Sequence, residues 1–319
     1  DDWHVHFREG DMLEMVTNFS SRINNRCVAM PNTKIPITDT NKAISYKEQI
    51  KSASEVNFEP LIPCYLNDNL DLGDFRMGLK KRIFFGSKLY PANATTNSKF
   101  GVSDISKIFK LFEILEEENS PLLIHGEKVA DNIDIFDREK YFIENQLQFI
   151  MKELPELKIT LEHITTAEAV SYVLESSNNL KATITLHHLL INRNAMFFNG
   201  FRPHFFCLPV AKREKDRKEL LKVALSGNER FFLGTDSAPH VKEKKLSECG
   251  CAGIFSSPVT LQTLIQLFDD FGCLENLESF VSLNGAKHYG QKVNDEKIKF
   301  IKTQKPINFI KELIIKDTS

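Results

Sequence analysis

The sequence lacks several features that would assign it to a specialised class of protein. Its 319 residues contain no apolar run near the 18 residues that a membrane span needs, and no signal peptide is visible. The chain begins without Met and almost directly on a motif, so we expect its N-terminus to be incomplete. A formal net charge of −2 argues against nucleic acid or another polyanion as a partner. No G-x-G-x-x-G motif or P-loop follows any apolar run.

A disulfide framework is also absent from the pattern. Four of the six cysteines lie singly, and several stand inside apolar stretches such as CVAMP, LIPCYL and FFCLPV. Buried, reduced thiols of this kind are typical of a cytoplasmic protein, which is the location we expect. Cys249 and Cys251 form a Cys-Gly-Cys pair, but no second Cys/His pair stands at zinc-finger spacing. We therefore do not interpret that pair as a metal site.

The bulk composition is that of an ordinary globular protein. Hydrophobic residues make up 42% of the chain and charged residues 26%, and the length suffices for a large core. No internal repeat, low-complexity tract or linker marks a boundary. We therefore expect one domain that covers residues 1–319.

Short apolar runs alternate with amphipathic stretches from one end of the chain to the other. The eight runs that we predict as strands cover residues 3–7, 26–32, 58–66, 82–91, 121–127, 158–164, 181–187 and 230–236. Helix-like stretches cover residues 11–22, 41–54, 102–118, 137–154, 165–175 and 216–224, with further helices at 258–271 and 278–289. Mostly apolar strands separated by helices predict a parallel sheet with covered faces. Eight such units predict an α/β fold of the (β/α)8 TIM-barrel type with a C-terminal extension, and an open doubly wound sheet is the alternative.

Polar residues collect near the ends of the predicted strands. In a TIM barrel the active site lies at the C-terminal ends of the strands. His4 and His6 alternate along the first strand, so both imidazoles point to the same face. Later strands end in further residues with ligand chemistry, namely Lys88, His125, His163 and Asp236. Each has an ordinary structural explanation when taken singly, as a core histidine, a helix cap or a surface lysine. Their shared position at one rim favours a common site.

Four imidazoles and one carboxylate exceed what a single tetrahedral zinc ion with an open position needs. They would suit two metal ions if a further ligand bridged them. An ammonium group has no lone pair, so Lys88 could bridge only after a modification such as carbamylation by CO2. The residues alone leave that modification open.

Long stretches of the chain match one known family in order. They are DDWHVHFREGDML, VAMPNT, KLYPANATTNS, LLIHGE, EHITT, HHLLINRN, RPHFFCLP, FLGTDSAPH and CGCAG, followed by SLNGAKHYG at 282–290. In these segments the chain resembles the stand-alone bacterial dihydroorotases of the amidohydrolase superfamily. The match is specific, because a generic amidohydrolase would carry the ligands without KLYPANATTNS or GTDSAPH.

The resemblance implies a zinc-dependent hydrolase of a cyclic amide, which interconverts N-carbamoyl-L-aspartate and (S)-dihydroorotate in the de novo synthesis of UMP. It implies two Zn2+ ions per subunit, one held by His4, His6 and Asp236, the other by His125 and His163, both bridged by N6-carboxylated Lys88. A metal-bridging hydroxide would attack the ring amide, and Asp236 would act as general base and then general acid.

The same resemblance implies a set of substrate-binding residues and an assembly. Arg8 would pair with the substrate carboxylate, for which the guanidinium fork is well matched. The residues implied in all are Arg8, Asn32, Thr95, Thr96, Leu208, His240 and Ala252. Thr95 and Thr96 lie in a small, polar loop at 92–101 that would fold over the substrate. A homodimer is expected from the family alone, and neither membrane nor nucleic acid is expected as a partner.

Two other functions share part of this pattern. A hydantoinase or allantoinase would carry the same metal ligands, but Arg8, Asn32 and the threonine loop argue against that substrate class. A non-catalytic relative would have lost metal ligands, whereas all six are present. The remaining histidines, His187, His188, His204 and His288, are interpreted as structural or surface residues.

Overall fold

The computed structural model describes residues 1–248, 250–304 and 313–314 of the chain. Nine strands are present in this part, all of them paired in parallel. They are β1 (Asp2–Val5), β2 (Arg26–Ala29), β3 (Glu59–Leu61), β4 (Cys64–Tyr65), β5 (Ser87–Leu89), β6 (Leu122–His125), β7 (Ile159–Glu162), β8 (Leu180–Ile184) and β9 (Phe231–Leu233). One sheet has the order β1-β2-β3 and the other runs from β4 to β9.

The two sheets form a single barrel with eight strand positions. β3 and β4 both lie in the predicted third strand, where Ile62 and Pro63 interrupt the ladder because proline has no N–H to donate. The second gap between the two sheets lies between β9 and β1. Here the Asp236 N–H donates to the His4 carbonyl at 2.8 Å and the His6 N–H donates to the Ser237 carbonyl at 3.1 Å. These bonds join the end of β9 to β1. The predicted (β/α)8 barrel is confirmed, and the open-sheet alternative is wrong.

Thirteen α-helices are present in the described part of the chain, and most of them cover the outside of the barrel. They are α1 (Gly10–Ser21), α2 (Thr40–Ala53), α3 (Leu72–Lys80), α4 (Phe109–Glu117), α5 (Arg138–Phe142), α6 (Gln148–Glu153), α7 (Ala167–Glu175), α8 (Leu186–Leu190), α9 (Asn194–Phe197), α10 (Glu214–Leu225), α11 (Lys242–Lys245), α12 (Thr260–Asp270) and α13 (Asn284–His288). The buried faces of α1 to α8, α10 and α12 pack on the outward side chains of the strands in one continuous apolar core, whereas α13 contributes to a separate cluster. Among the described residues, no helix has the length and apolar character that crossing a membrane requires.

Several elements differ from the sequence prediction, among them the short helices α8, α9 and α11, which it did not include. Helix α3 has no counterpart there, because Gly73 and Gly78 weaken its helical signal, although Asp71 caps its first turn. The predicted seventh strand reached residue 187, but β8 ends at Ile184. The Thr185 side chain accepts from the His188 N–H and so caps helix α8 at that point.

The C-terminal part of the chain closes one end of the barrel. Trp3, Phe232 and other inward side chains form a small apolar cluster with Ala286 and Tyr289. The Thr160 hydroxyl lies 2.8 Å from the hydroxyl of Tyr289 and 3.0 Å from His288 Nε2. These strand residues precede the ligand-bearing ends of β1, β7 and β9. The C-terminal cluster of Ala286, His288 and Tyr289, which we call the plug, therefore lies at the opposite end from the predicted site.

Gly285 in this plug tests how tightly the closed end is packed. A Cβ atom at this position would overlap the indole ring of Trp3, which is buried. We expect Gly285→Ala to lower the free energy of unfolding by about 1–3 kcal/mol, measured by denaturant titration, because overpacking forces the ring aside. The control is Gly73→Ala in α3, where the nearest atom is an Asp71 carboxylate oxygen at 3.2 Å. Equal effects of the two substitutions would contradict this account.

Candidate active site

The six predicted ligands meet at one rim of the barrel. His4 lies in β1, Lys88 in β5 and His125 in β6, while His6, His163 and Asp236 follow the ends of their strands. The ring centroids of His4 and His6 are 5.3 Å apart, those of His4 and His163 5.1 Å, and those of His125 and His163 4.8 Å. All six side chains are buried. Residues up to 232 positions apart, from His4 to Asp236, therefore share one small volume.

The Asp236 carboxylate joins the histidine pair of the first strand. Its Oδ1 lies 3.0 Å from His6 Nε2 and 3.3 Å from His4 Nε2. Asp236 has a positive φ of 45°, and His163 has one of 43°. Such left-handed backbone is strained for residues with a side chain and is concentrated at functional sites. It is found here at two of the six converging residues.

Glu162 is a part of the site that sequence reasoning missed. Its Oε2 pairs with the Lys88 ammonium, and its Oε1 lies 3.0 Å from His4 Nδ1. Lys88 and Glu162 are both almost fully buried, and the lysine Nζ lies 4.8 Å from the centre of the Tyr90 ring. One feature of the sequence could have indicated this role. Glu162 stands two residues after Thr160 in an apolar strand, and residues at that spacing point to the same side of the strand, here into the barrel.

Glu127 is a second carboxylate that sequence reasoning missed. Its Oε2 lies 2.7 Å from His125 Nε2, and both side chains are buried. A carboxylate only accepts, so His125 donates its Nε2 proton and keeps a lone pair on Nδ1. Hydrogen bonds of this kind fix the tautomer and orientation of metal-binding histidines. The HGE sequence at 125–127 carried this information, but only the fold shows the contact.

Burial favours the neutral form of the histidine side chains at the rim. It lowers the pKa of His6 to about 3 and lowers the pKa of His4, His125 and His163 as well. Burial also acts to raise the pKa of Asp236, but the adjacent His4 and His6 together hold it well below its usual range. Neutral imidazoles beside an ionised carboxylate are the state in which these side chains bind metal ions.

The donor set fits a metal centre. Single ligand atoms of His4, His6 and Asp236 all lie within 4.8 Å of one another, and so do those of His4, Glu162 and His163. Within the described residues, the buried Nδ1 of His163 has no hydrogen-bond partner. A buried polar atom without a partner is costly, and a bound cation would remove that cost. Burial also lowers the pKa of Lys88 well below its usual range.

The predicted substrate residues surround a cavity above these ligands. The cavity is lined by Arg8, Asn32, Thr95, Thr96, Leu208 and Ala252, together with His4, His6, His125, His163 and Asp236. Arg8 has a positive φ of 62° and donates through Nε to the Pro239 carbonyl at 3.0 Å. His240 Nε2 lies 3.0 Å from an Arg8 nitrogen and 2.9 Å from the Ala252 carbonyl oxygen. All seven predicted residues thus lie in or against the wall of one cavity.

The loop at 92–101 covers this cavity. The Asn32 side-chain amide donates to the Thr96 carbonyl at 3.0 Å, and the Thr96 hydroxyl reaches the Ala252 carbonyl at 3.5 Å. Only about 20 Å³ of space remains beneath the loop, which is room for one or two water molecules. A six-membered ring needs more space than this, so the cavity must widen to admit one.

Four other histidines do not line this cavity, and one of them, His204, is exposed. His187 and His188 are buried and, with Cys207, form another close group of potential ligand atoms. His188 is engaged in the fold, since its Nδ1 lies 2.9 Å from the Thr185 hydroxyl and its Nε2 lies 3.1 Å from the Pro209 carbonyl oxygen. His288 belongs to the plug at the other end of the barrel. Cys249, whose pairing with Cys251 we did not interpret as a metal site, lies outside the described residues.

The role of Glu127 can be tested through metal affinity. We expect Glu127→Ala to weaken the binding of Zn2+ by roughly 10- to 100-fold, because His125 loses the acceptor that orients its ring. Affinity is measured by competition with a chromophoric chelator. Glu127→Gln is the matched variant, since its amide oxygen still accepts from His125, and it should retain most of the affinity. Unchanged Zn2+ affinity in Glu127→Ala would rule out the orienting role.

Comparison with protein families and curated proteins shows what the chain is similar to. The amidohydrolase family model matches residues 2–294. A dihydroorotase from Photorhabdus laumondii is 48% identical over 315 residues, which cover 98% of this chain and 89% of the relative. A dihydroorotase from Serratia proteamaculans is 48% identical over 307 residues, which cover 96% of this chain and 87% of the relative.

Solved structures are similar too, at lower sequence identity. A dihydroorotase from Saccharomyces cerevisiae in complex with 5-fluoroorotic acid has a TM-score of 0.86 and 35% identity, covering 91% of this chain and 84% of the relative. A dihydroorotase from Campylobacter jejuni has a TM-score of 0.85 and 38% identity, covering 93% and 84%. An L-hydantoinase from Arthrobacter aurescens has a TM-score of 0.74 at 16% identity, covering 91% and 70%, and is similar in fold alone.

Proposed function

The chain belongs to the dihydroorotases of the amidohydrolase family, and we propose that its rim interconverts N-carbamoyl-L-aspartate and (S)-dihydroorotate in the synthesis of pyrimidines. This activity is that of a hydrolase acting on a cyclic amide. The observation that carries the proposal is the convergence of Arg8, Asn32 and five of the six candidate ligands on one cavity, in a chain nearly half identical to dihydroorotases. A cytoplasmic location and a homodimeric assembly belong to the proposal too, on the family likeness alone.

The substrate differs from a plain cyclic amide by its carboxylate. We assign the recognition of that group to Arg8, with Asn32 and His240 beside it. Arg8 is half-buried, so a carboxylate paired with its guanidinium would be partly shielded from water, which strengthens a charge-assisted pair. The backbone at Leu208 and Ala252 completes the wall that faces the ring. This carboxylate pocket distinguishes the proposed substrate from a hydantoin.

The residues at the rim support a centre of two zinc ions. His4, His6 and Asp236 would hold one ion, His125 and His163 the other, and Lys88 would bridge them as a carbamate. When bound, such ions polarise the amide carbonyl and make a water molecule nucleophilic at neutral pH. Carbamylation joins the Lys88 amine to the carbon of CO2 and releases one proton. Glu162, which pairs with the unmodified ammonium, would then have to give up that ion pair.

We propose that Asp236 moves the proton of the reaction. In hydrolysis, water adds to the ring carbonyl carbon, the bond from that carbon to the ring nitrogen breaks, and the nitrogen gains a proton. We propose that Asp236 takes the proton from the attacking water and delivers it to the leaving nitrogen. Its position in the cavity wall and its low pKa, which keeps it ionised before the reaction, support this role. The reverse sequence closes the ring and releases water.

The loop at 92–101 would serve as a lid over the bound substrate. Its contacts to Asn32 and Ala252 hold it over the cavity, and its small polar residues Thr95 and Thr96 face inward. Closure would exclude bulk water while the threonine hydroxyls bind the substrate.

Purified protein supplied with zinc should turn over dihydroorotate, followed by its ultraviolet absorbance. Asp236→Asn should lower kcat by roughly 10²- to 10⁴-fold, because the amide cannot accept the proton, and should change KM much less. Hydantoin and allantoin are the control substrates and should give no comparable turnover. Zinc-loaded protein that leaves dihydroorotate untouched would overturn the proposed function, and near-normal kcat in Asp236→Asn would show that another group moves the proton.

The bridging role of Lys88 predicts a change in metal content. Lys88→Ala should lose most of the bound zinc, measured by elemental analysis after desalting, because both ions lose a shared ligand. Wild-type protein exposed to 13C-labelled CO2 should in addition show a carbamate carbon by NMR. Lys181→Ala removes another largely buried lysine, on β8, and should keep its zinc. Full occupancy of both positions in Lys88→Ala would count against the bridge.

A further inference from the structure

Two segments that are distant in sequence form one wall of the active-site cavity. Leu208 comes from the first, and Ala252 and Gly253 come from the second. The Gly253 N–H donates to the Phe206 carbonyl at 3.0 Å and so ties the two segments together. Neither segment is part of a strand or helix at these positions, so regular backbone ladders do not hold them.

Lys245 reaches the back of this wall from the short helix α11. Its ammonium group donates to three carbonyl oxygens, those of Phe206 at 3.0 Å, Cys251 at 2.8 Å and Gly253 at 2.8 Å. The side chain is only 5% exposed, whereas the neighbouring Lys242 and Lys244 are exposed. No Asp or Glu in the described part of the chain forms an ion pair with it. Backbone carbonyls therefore supply the polar surroundings of this buried cation.

The geometry of these contacts directs the backbone of Ala252 into the cavity. Cys251 and Gly253 flank Ala252, and both of their carbonyls point back to the lysine. The Ala252 carbonyl points the other way, where it accepts from the Thr96 hydroxyl at 3.5 Å and lies 2.9 Å from His240 Nε2. The ammonium thus sets the orientation of the peptide units on either side of the one that faces the substrate.

The wall is packed too tightly to move without moving its neighbours. Gly253 has a φ of 147°, which few residues other than glycine adopt. A Cβ atom there would lie 2.5 Å from the Ala238 carbonyl oxygen and 3.1 Å from His240 Cδ2. A shift of this segment would therefore also displace His240, which contacts Arg8.

We propose that Lys245 is a positioning residue for substrate binding: by gathering the carbonyls of Phe206, Cys251 and Gly253 it fixes the cavity wall formed by Leu208 and Ala252. The inference rests on the proposed dihydroorotase function and assigns the residue a task within it. Lys245 touches neither substrate nor the candidate metal ligands. It acts on binding through the backbone and has no part in the chemical step.

The test separates substrate binding from chemistry and from metal content. Lys245→Met keeps the length and apolar stem of the side chain and removes all three donors. We expect its KM for dihydroorotate to rise by roughly ten-fold or more, with kcat within about three-fold of wild type and zinc content unchanged, because a misplaced wall weakens binding in ground and transition states alike. Lys245→Arg, which still carries a charged donor group, should recover part of the lost affinity.

Lys244→Met is the matched control, since it removes an exposed lysine from the same helix. It should leave KM unchanged. Equal KM values for Lys245→Met and Lys244→Met would overturn the inference, and so would a Lys245→Met protein that loses zinc or kcat in place of affinity. If Lys245→Met does not fold, Lys245→Gln replaces it in the test, because its amide keeps two N–H donors. This variant should fold and show an intermediate KM. A wild-type KM in Lys245→Gln would also refute the role. Inactive wild-type protein would refute the proposed function itself, whereas an active wild type with an unchanged variant refutes this inference alone.

Discussion

The seam between β1 and the end of β9 is the constraint on which the rest of the site depends. The buried Asp2 carboxylate accepts from the Thr235 N–H at 2.9 Å and the Thr235 hydroxyl at 2.6 Å. One residue further on, the Asp236 N–H donates to the His4 carbonyl. These bonds close the barrel and also set the position of the Asp236 carboxylate beside the His4 and His6 rings. The hydrogen bonds that close the barrel therefore also bring Asp236 together with the two histidines.

The second organising principle is the burial of ionisable groups that face one another. Four imidazoles, a lysine and three carboxylates share an interior from which water is nearly excluded. Burial keeps the imidazoles neutral, while the histidines beside Asp236 keep that carboxylate ionised. An arrangement that concentrates unsatisfied polar atoms in this way is costly for folding alone. It is understandable as a site in which cations complete the coordination and the charge balance.

The cavity above the ligands is built from backbone as much as from side chains. Arg8 and Asp236 are held in left-handed conformations, and Ala252 presents a carbonyl that Lys245 orients from behind. The loop at 92–101 rests on this wall and on Asn32. Lid and wall thus share contacts, so the position of the wall also affects how the lid seats. A shift of the wall at Ala252 would therefore also shift the loop.

The alternation of apolar strands with helices could be predicted from the residues alone. So could the barrel and the rim at which the six candidate ligands meet, namely His4, His6, Lys88, His125, His163 and Asp236. This was possible because the alternation of side chains along a strand is a local property of the sequence. In addition, a parallel barrel places the C-terminal ends of all its strands on one face. The limits of individual elements were harder to predict. The break at Pro63 and the cap at Thr185 depend on single residues within otherwise continuous apolar runs.

The contacts between side chains could not be predicted in the same way. Glu127 and Glu162 are ordinary glutamates in the sequence, and they become part of the site because a ring nitrogen or an ammonium group lies against them. The role of Lys245 was even harder to predict from the sequence, because its partners are main-chain carbonyls, which every residue carries. Contacts of this kind depend on where loops return in space, and no local periodicity of the chain encodes that.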